Sequence, residues 1–202
     1  AEYEPENWKL AVNNENFRKS IVHAFNRMPA LATSDRIDPE SLKNNTITPN
    51  AFASASKDYT YYEGLAAYTD GDNFDKALAE EYKAAAIDEL TAAGATFPIK
   101  MLMCYNPTSA NWAQECQVVE QQIETVLGAD YVDIIIQAGP ETGFLGAIRR
   151  TGNYAFMKCN WGADYADPET WTDPFSTDSS YSFIFKSTDP ETQSGSEEHT
   201  SE

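Results

Sequence analysis

The residues best placed to do chemistry fall in one run, Met157-Lys158-Cys159-Asn160-Trp161-Gly162-Ala163-Asp164-Tyr165-Ala166-Asp167-Pro168. A mostly apolar stretch, Tyr154 to Trp161, reads as a strand that breaks at Gly162, and a carboxylate follows two residues later. Glycine lets a backbone turn sharply or lets another backbone come close. Trp161 brings a rigid apolar face with one N–H donor. Asp164, at the end of such a strand, suits a cationic group, since a carboxylate beside apolar walls gains strongly from a charged partner. Blander roles stand beside these. Asp164 can cap a turn, Trp161 can be core, Arg149 and Lys158 can be surface charges, and Asp167 before Pro168 reads as a turn-former.

Other chemistries find less support. Asp164, Asp167 and Glu169 have the residue types of a glycosidase acid–base pair, but nothing else in the chain backs that reading. His23 and His199 are the only histidines and suggest no catalytic triad. Cys104, Cys116 and Cys159 fit no zinc spacing and sit in apolar patterns, so buried free thiols are expected, with no metal and no cofactor.

The elements that must position the run follow from periodicity. Residues 1–15 read as a polar lead-in. Asn16 is placed to cap a helix from Phe17, with Phe17, Ile21, Ala24, Phe25 and Met28 on one face, ending near Pro29. Thr33 to Thr60 reads as a long connection, followed by aromatics at 59, 61 and 62 that suit core or a contact surface. An alanine-rich helix is expected over about 74–93, stopped by Gly94. Pro98 to Tyr105 reads as a buried strand. A helix capped by Ser109 carries Trp112, Cys116, Val119, Ile123 and Val126 to Gly128. Tyr131 to Gln137 is a second strand, a short helix spans about 141–150, and Tyr154 to Trp161 is the third strand. Strands alternating with helices predict an α/β fold with a largely parallel sheet covered by helices. Ligands in such sheets sit beyond the carboxyl ends of the strands.

The chain has 202 residues, 42% of them hydrophobic, and a formal charge of -18. That charge repels phosphate backbones and anionic membranes, so nucleic acid is not an expected partner. Residues 187–202 are Ser, Thr, Glu and Gly with almost nothing apolar, and read as an acidic flexible tail or a truncated loop. No apolar run approaches the length needed to span a bilayer.

Four ordered segments resemble a known family. Phe17-Arg18-Lys19-Ser20-Ile21-Val22-His23-Ala24-Phe25-Asn26-Arg27, Ala85 to Gly94 with the Phe97-Pro98-Ile99-Lys100 strand start, Asn111 to Gly128, and Asn160-Trp161-Gly162-Ala163-Asp164-Tyr165-Ala166-Asp167-Pro168 are similar to motifs of the family 5 extracellular solute-binding proteins. These are the dipeptide and oligopeptide receptors of ABC importers. Asn26 stands where the family usually has Asp, and Asn160 where it often has Gly. The resemblance implies the C-terminal lobe of a type II periplasmic-binding-protein-like clamp, partial over residues 1–186, excised from a longer protein. It implies an extracytoplasmic binding component, lipid-anchored or periplasmic, monomeric and without enzymatic activity, that works with ABC permease subunits and takes short peptides. By the same resemblance Asp164 receives the ligand's α-ammonium. Asn160 and Gly162 offer backbone groups, Gly162 and Ala163 leave room, Trp161 walls the cleft, and Lys158 and Arg149 face it. A sugar or another small solute within the same family, or a non-transport interaction module, remains as the alternative ligand class or role.

Overall fold

Asn14 forms the first joint of the structure. Its side chain accepts the Phe17 N–H at 2.7 Å, capping α2 (Glu15–Ala24) just where α1 (Pro5–Asn13) ends. The computed structural model describes residues 3–49, 52, 54–56, 59–60, 71–158, 160–176, 179 and 181. The expected lead-in is therefore largely a helix. Pro5 at its start and Glu6 in its first turn favour it, but Ala11 alone is buried, so its apolar period is faint. Asn16, expected as the cap, instead donates to Glu89 Oε1 at 2.9 Å, while Asn14 donates to Glu89 Oε2 at 2.7 Å. Pro29 does not end the helix either: α2 stops at Ala24, and Pro29 sits inside α3 (Arg27–Leu31), capped by Asn26.

The connection expected over 33–60 carries a 3-10 turn, Pro39–Leu42, and a small antiparallel pair, β1 (Ser54–Ser56) with β2 (Tyr59–Thr60). Side chains at 61 and 62, Cys159, His199 and the 187–202 stretch lie outside the described residues.

Two long helices and two strands carry the core. Asp75 caps α4 (Lys76–Ala92) through the Ala77 and Leu78 N–H groups. Its fully buried Ala79 and Ala86 let α2 lie close against it. Gly94 follows with φ 87°, the left-handed conformation that ends a helix. β3 (Ile99–Tyr105) pairs in parallel with β4 (Val132–Ala138), from Ile99 opposite Val132 to Tyr105 opposite Ala138. α5 (Trp112–Leu127) is the crossover between them. Its cap is Asn111, not Ser109; the Asn111 side chain accepts no N–H from its own helix, and its amide donates to the Thr33 carbonyl at 3.3 Å. Cys116, Val119, Ile123 and Leu127 form its buried stripe. Tyr131, 1% exposed, is the hub of an aromatic group: Phe17 and Phe97 lie 5.7 and 5.6 Å from it, and its hydroxyl is 3.1 Å from Ser20 Oγ. On the outer edge of β4, the Ile134 N–H donates to Glu124 Oε1 of α5 at 2.8 Å.

Among the described residues the third strand is not formed. Tyr154 to Phe156 turns out of Gly152, which has φ 71°, and the Ala155 and Phe156 N–H groups both donate to the single carbonyl of Leu102, at 2.8 and 3.1 Å. A ladder needs successive amides to point to opposite sides. Here the backbone kinks, and the apolar residues pack beside β3 without extending the sheet. The short helix expected over 141–150 is a π-helical turn, Leu145–Arg149, entered through Gly143 at φ 70°.

Candidate functional site

Beyond the carboxyl ends of β3 and β4 the structure leaves a cavity of about 400 Å³. That volume is within the range of small-ligand sites. Asn106 follows β3, Trp112 opens α5, Phe144 and Leu145 follow β4, and Met157, Lys158, Asn160, Trp161, Gly162 and Asp164 line the rest with Arg149 and Tyr181. A larger hollow, about 520 Å³, lies on the other side of β3 against Trp8, Leu102, Cys104 and Tyr154. None of the seven site residues expected from the sequence lines it, and it does not lie at the strand ends, so the smaller cavity is the candidate.

Each wall has a local cause. Gly139 continues the β4 backbone, its N–H donating to the Tyr105 carbonyl at 2.9 Å. A Cβ there would lie 2.6 Å from the Phe144 ring, so the glycine is what seats Phe144. Phe144 is 4% exposed and meets Trp112 edge-on, ring centroids 5.3 Å apart. Arg149, 8% exposed, ends the π-helical turn. Its Nη1 donates to the Asn160 carbonyl at 3.3 Å, and its guanidinium lies 6.0 Å from the Tyr181 ring centroid. Lys158 Nζ is 2.5 Å from Glu115 Oε2 on the first turn of α5.

Thr170 fixes the signature segment. It is 2% exposed and belongs to the short helix α6 (Glu169–Thr172). The Trp161 indole N–H donates to its carbonyl at 2.6 Å, and the Asp164 N–H donates to its hydroxyl at 3.0 Å. The backbone of Asp164 is thereby held while its side chain stays exposed, and its carboxylate takes no partner among the described residues. Asp167 behaves differently. Its Oδ1 accepts the Glu169 N–H at 2.9 Å and its carbonyl the Thr170 N–H at 3.1 Å, a turn that launches α6. Tyr165, beside these acids, has its phenol pushed up, first by desolvation and then by Glu169, Asp173, Asp167 and Asp164.

Of the seven residues expected at a site, Arg149, Lys158, Asn160, Trp161, Gly162 and Asp164 line this cavity together. Ala163 is exposed and outside the lining. Gly162 does not use a left-handed conformation, so the sharp-turn reading does not hold for it; a Cβ built on it meets nothing within 4 Å. What it contributes is open space. Sequence reasoning gave no site role to Thr170, Glu115, Trp112, Phe144 or Leu145. Trp112 and Phe144 were legible only as apolar residues, and the Thr170 bonds join residues six and nine positions apart, which no periodicity marks. Cys104 and Cys116 are buried free thiols, as expected; burial, and to a lesser degree Glu115, pushes Cys116 up to about 11.

The profile of the family described as "Bacterial extracellular solute-binding proteins, family 5 Middle" matches residues 5–183. The chain is 29% identical over 200 residues to the oligopeptide-binding protein AliB of Streptococcus pneumoniae serotype 4 (strain ATCC BAA-334 / TIGR4), covering 89% of this chain and 30% of that protein. It is 30% identical over 195 residues to the oligopeptide-binding protein AmiA of the same strain, covering 85% and 29%. The chain thus spans about 30% of the length of the curated relatives it matches. In fold it is similar to Listeria monocytogenes OppA bound to peptide, with TM-score 0.67 and 19% identity over 91% of this chain and 34% of that one. It is also similar to a peptide-binding protein of a peptide ABC transporter, with TM-score 0.66 and 20% identity over 98% and 80%. An α/β chain with a parallel strand pair, a cavity at its strand ends and a family profile matched from residue 5 to residue 183 belongs to the bacterial extracellular solute-binding proteins, family 5.

Proposed function

We propose that this chain supplies one wall of a peptide-binding cleft, as part of the extracytoplasmic substrate-binding component of an ABC transporter. The observation that carries this is the pairing of a fixed backbone with an unengaged carboxylate: Asp164 is stapled at its N–H by Thr170, while its side chain faces the cavity without a partner among the described residues. A peptide's α-ammonium carries three donors and a full charge, and every peptide has one whatever its sequence, so one carboxylate serves many ligands. Asn160 and Gly162 offer backbone groups to an extended ligand and Trp161 forms a wall beside them. Lys158 pairs with Glu115 and Arg149 donates to the Asn160 carbonyl, so Asp164 is the carboxylate in the lining open to a ligand's cation. The names of the AliB and AmiA relatives favour peptides over a sugar as the ligand class. In this reading the protein is a monomeric binding component without catalytic activity, lipid-anchored or periplasmic, that delivers peptide to permease subunits. Residues 1–186 form the greater part of its C-terminal lobe.

The test is thermal melting of the product of the complete reading frame with short peptides and with their N-acetylated copies. Free-amino peptides are expected to raise the midpoint and acetylated ones to leave it unchanged. Asp164→Asn should cost about 1.5–3 kcal/mol of binding, the usual worth of a hydrogen bond to a charged group. Equal stabilisation by both peptide sets would sink the role of Asp164.

A further inference from the structure

Lys158 and Asp164, of opposite charge, line one cavity of about 400 Å³, so both act on anything held there. A lysine ammonium rides on a flexible four-carbon stem and goes where a carboxylate draws it. Here the carboxylate that draws it is Glu115, whose Oε2 is 2.5 Å from Lys158 Nζ. Glu115 stands on the first turn of α5 and is not part of the lining. It is the anchored member of the pair: a helix N-terminus favours a negative charge, and its side chain is 18% exposed against 42% for Lys158. The Asp164 carboxylate meanwhile has no partner among the described residues.

We infer that Glu115 is a positioning residue that sets the charge preference of the cleft: by holding Lys158 it keeps that ammonium from neutralising Asp164 and from repelling the ligand's α-ammonium. The inference rests on the peptide reading above. Without the Glu115 charge, Lys158 and the amino end of the ligand compete for one carboxylate, and Lys158 becomes a partner for any carboxylate the ligand carries. Glu115 acts through Lys158 and touches no ligand itself. Arg149, the other cation in the lining, donates to the Asn160 carbonyl and stays the same in every variant compared.

The experiment uses the product of the complete reading frame and two free-amino trialanine ligands, one ending in a carboxylate and one in an amide. Affinities are measured by calorimetry at low and high salt. Glu115→Gln keeps the shape and removes the charge. It should weaken the amide about three- to tenfold at low salt, the scale of one uncompensated charge acting across several ångströms of a protein surface. The carboxylate peptide should lose less, and salt should narrow the difference. Adding Lys158→Met should recover most of the loss. Lys158→Met alone should move the ratio the other way, toward the amide, which gives a reading even if Glu115→Gln does not fold. Equal losses for both ligands, a loss that Lys158→Met does not repair, or a ratio that neither variant shifts would overturn the inference and leave the peptide reading intact. If neither ligand binds the unsubstituted protein, the peptide reading falls and this inference with it.

Discussion

Thr170 does with two atoms what the signature run cannot do for itself. Its carbonyl takes the Trp161 indole and its hydroxyl takes the Asp164 amide, so the stretch from Trp161 to Asp164 is pinned at both ends. Thr170→Val keeps the shape and removes the hydroxyl, leaving a part-buried N–H without its acceptor. That should lower stability by about 1–3 kcal/mol, read by urea unfolding, and should weaken free-amino peptides more than any other ligand. Thr170→Ser, which keeps the hydroxyl, should restore both. The chemistry-bearing side chains themselves were legible, because Asn160, Trp161, Gly162 and Asp164 fall within one short run and their types announce a polar feature at the end of a mostly apolar run. The residue that holds them was not. A threonine in a turn looks the same whether its hydroxyl meets water or a backbone amide six residues away.

Among the elements, those with a long buried stripe were read correctly to within a few residues: α4, α5, β3 and β4 each repeat apolar side chains at their own period. α1 escaped because its buried face amounts to Ala11. The third strand was misread because an apolar run specifies burial and not a ladder. Tyr154 to Phe156 is partly buried against β3, yet spends two amides on one carbonyl. The junction after β4 gives the sharpest test at this scale. Gly139→Ala places a methyl group 2.6 Å from the Phe144 ring, so the ring or the strand end must move. The overpacking should cost about 1–3 kcal/mol by denaturant unfolding, and tryptophan fluorescence should change as Trp112 loses its edge contact. Gly162→Ala meets nothing within 4 Å and should leave stability unchanged within about 0.5 kcal/mol.

For the molecule as a whole, the core sets an alkaline limit. Burial pushes the Tyr131 phenol up to about 12 from 10, and the Cys116 thiol up to about 11 from 9. Both groups stay protonated in the folded state while the unfolded chain ionises. The unfolded state then binds fewer protons, and stability falls as pH rises. The loss should begin near pH 9 with Cys116, continue from pH 10 with Tyr131, and level off above about 12, at roughly 2–3 kcal/mol for each group. Unfolding midpoints measured from pH 8 to 12 should trace it, and Tyr131→Phe should flatten the later part of the curve. One bond on the sheet's border has a further consequence. The outward Ile134 N–H of β4 is already taken by Glu124 of α5, so a foreign strand sliding alongside finds no donor at that position and meets a carboxylate instead. A chain rich in β-branched residues at 132–136 thus carries its own guard against stacking on copies of itself, supplied by the helix that links its two strands.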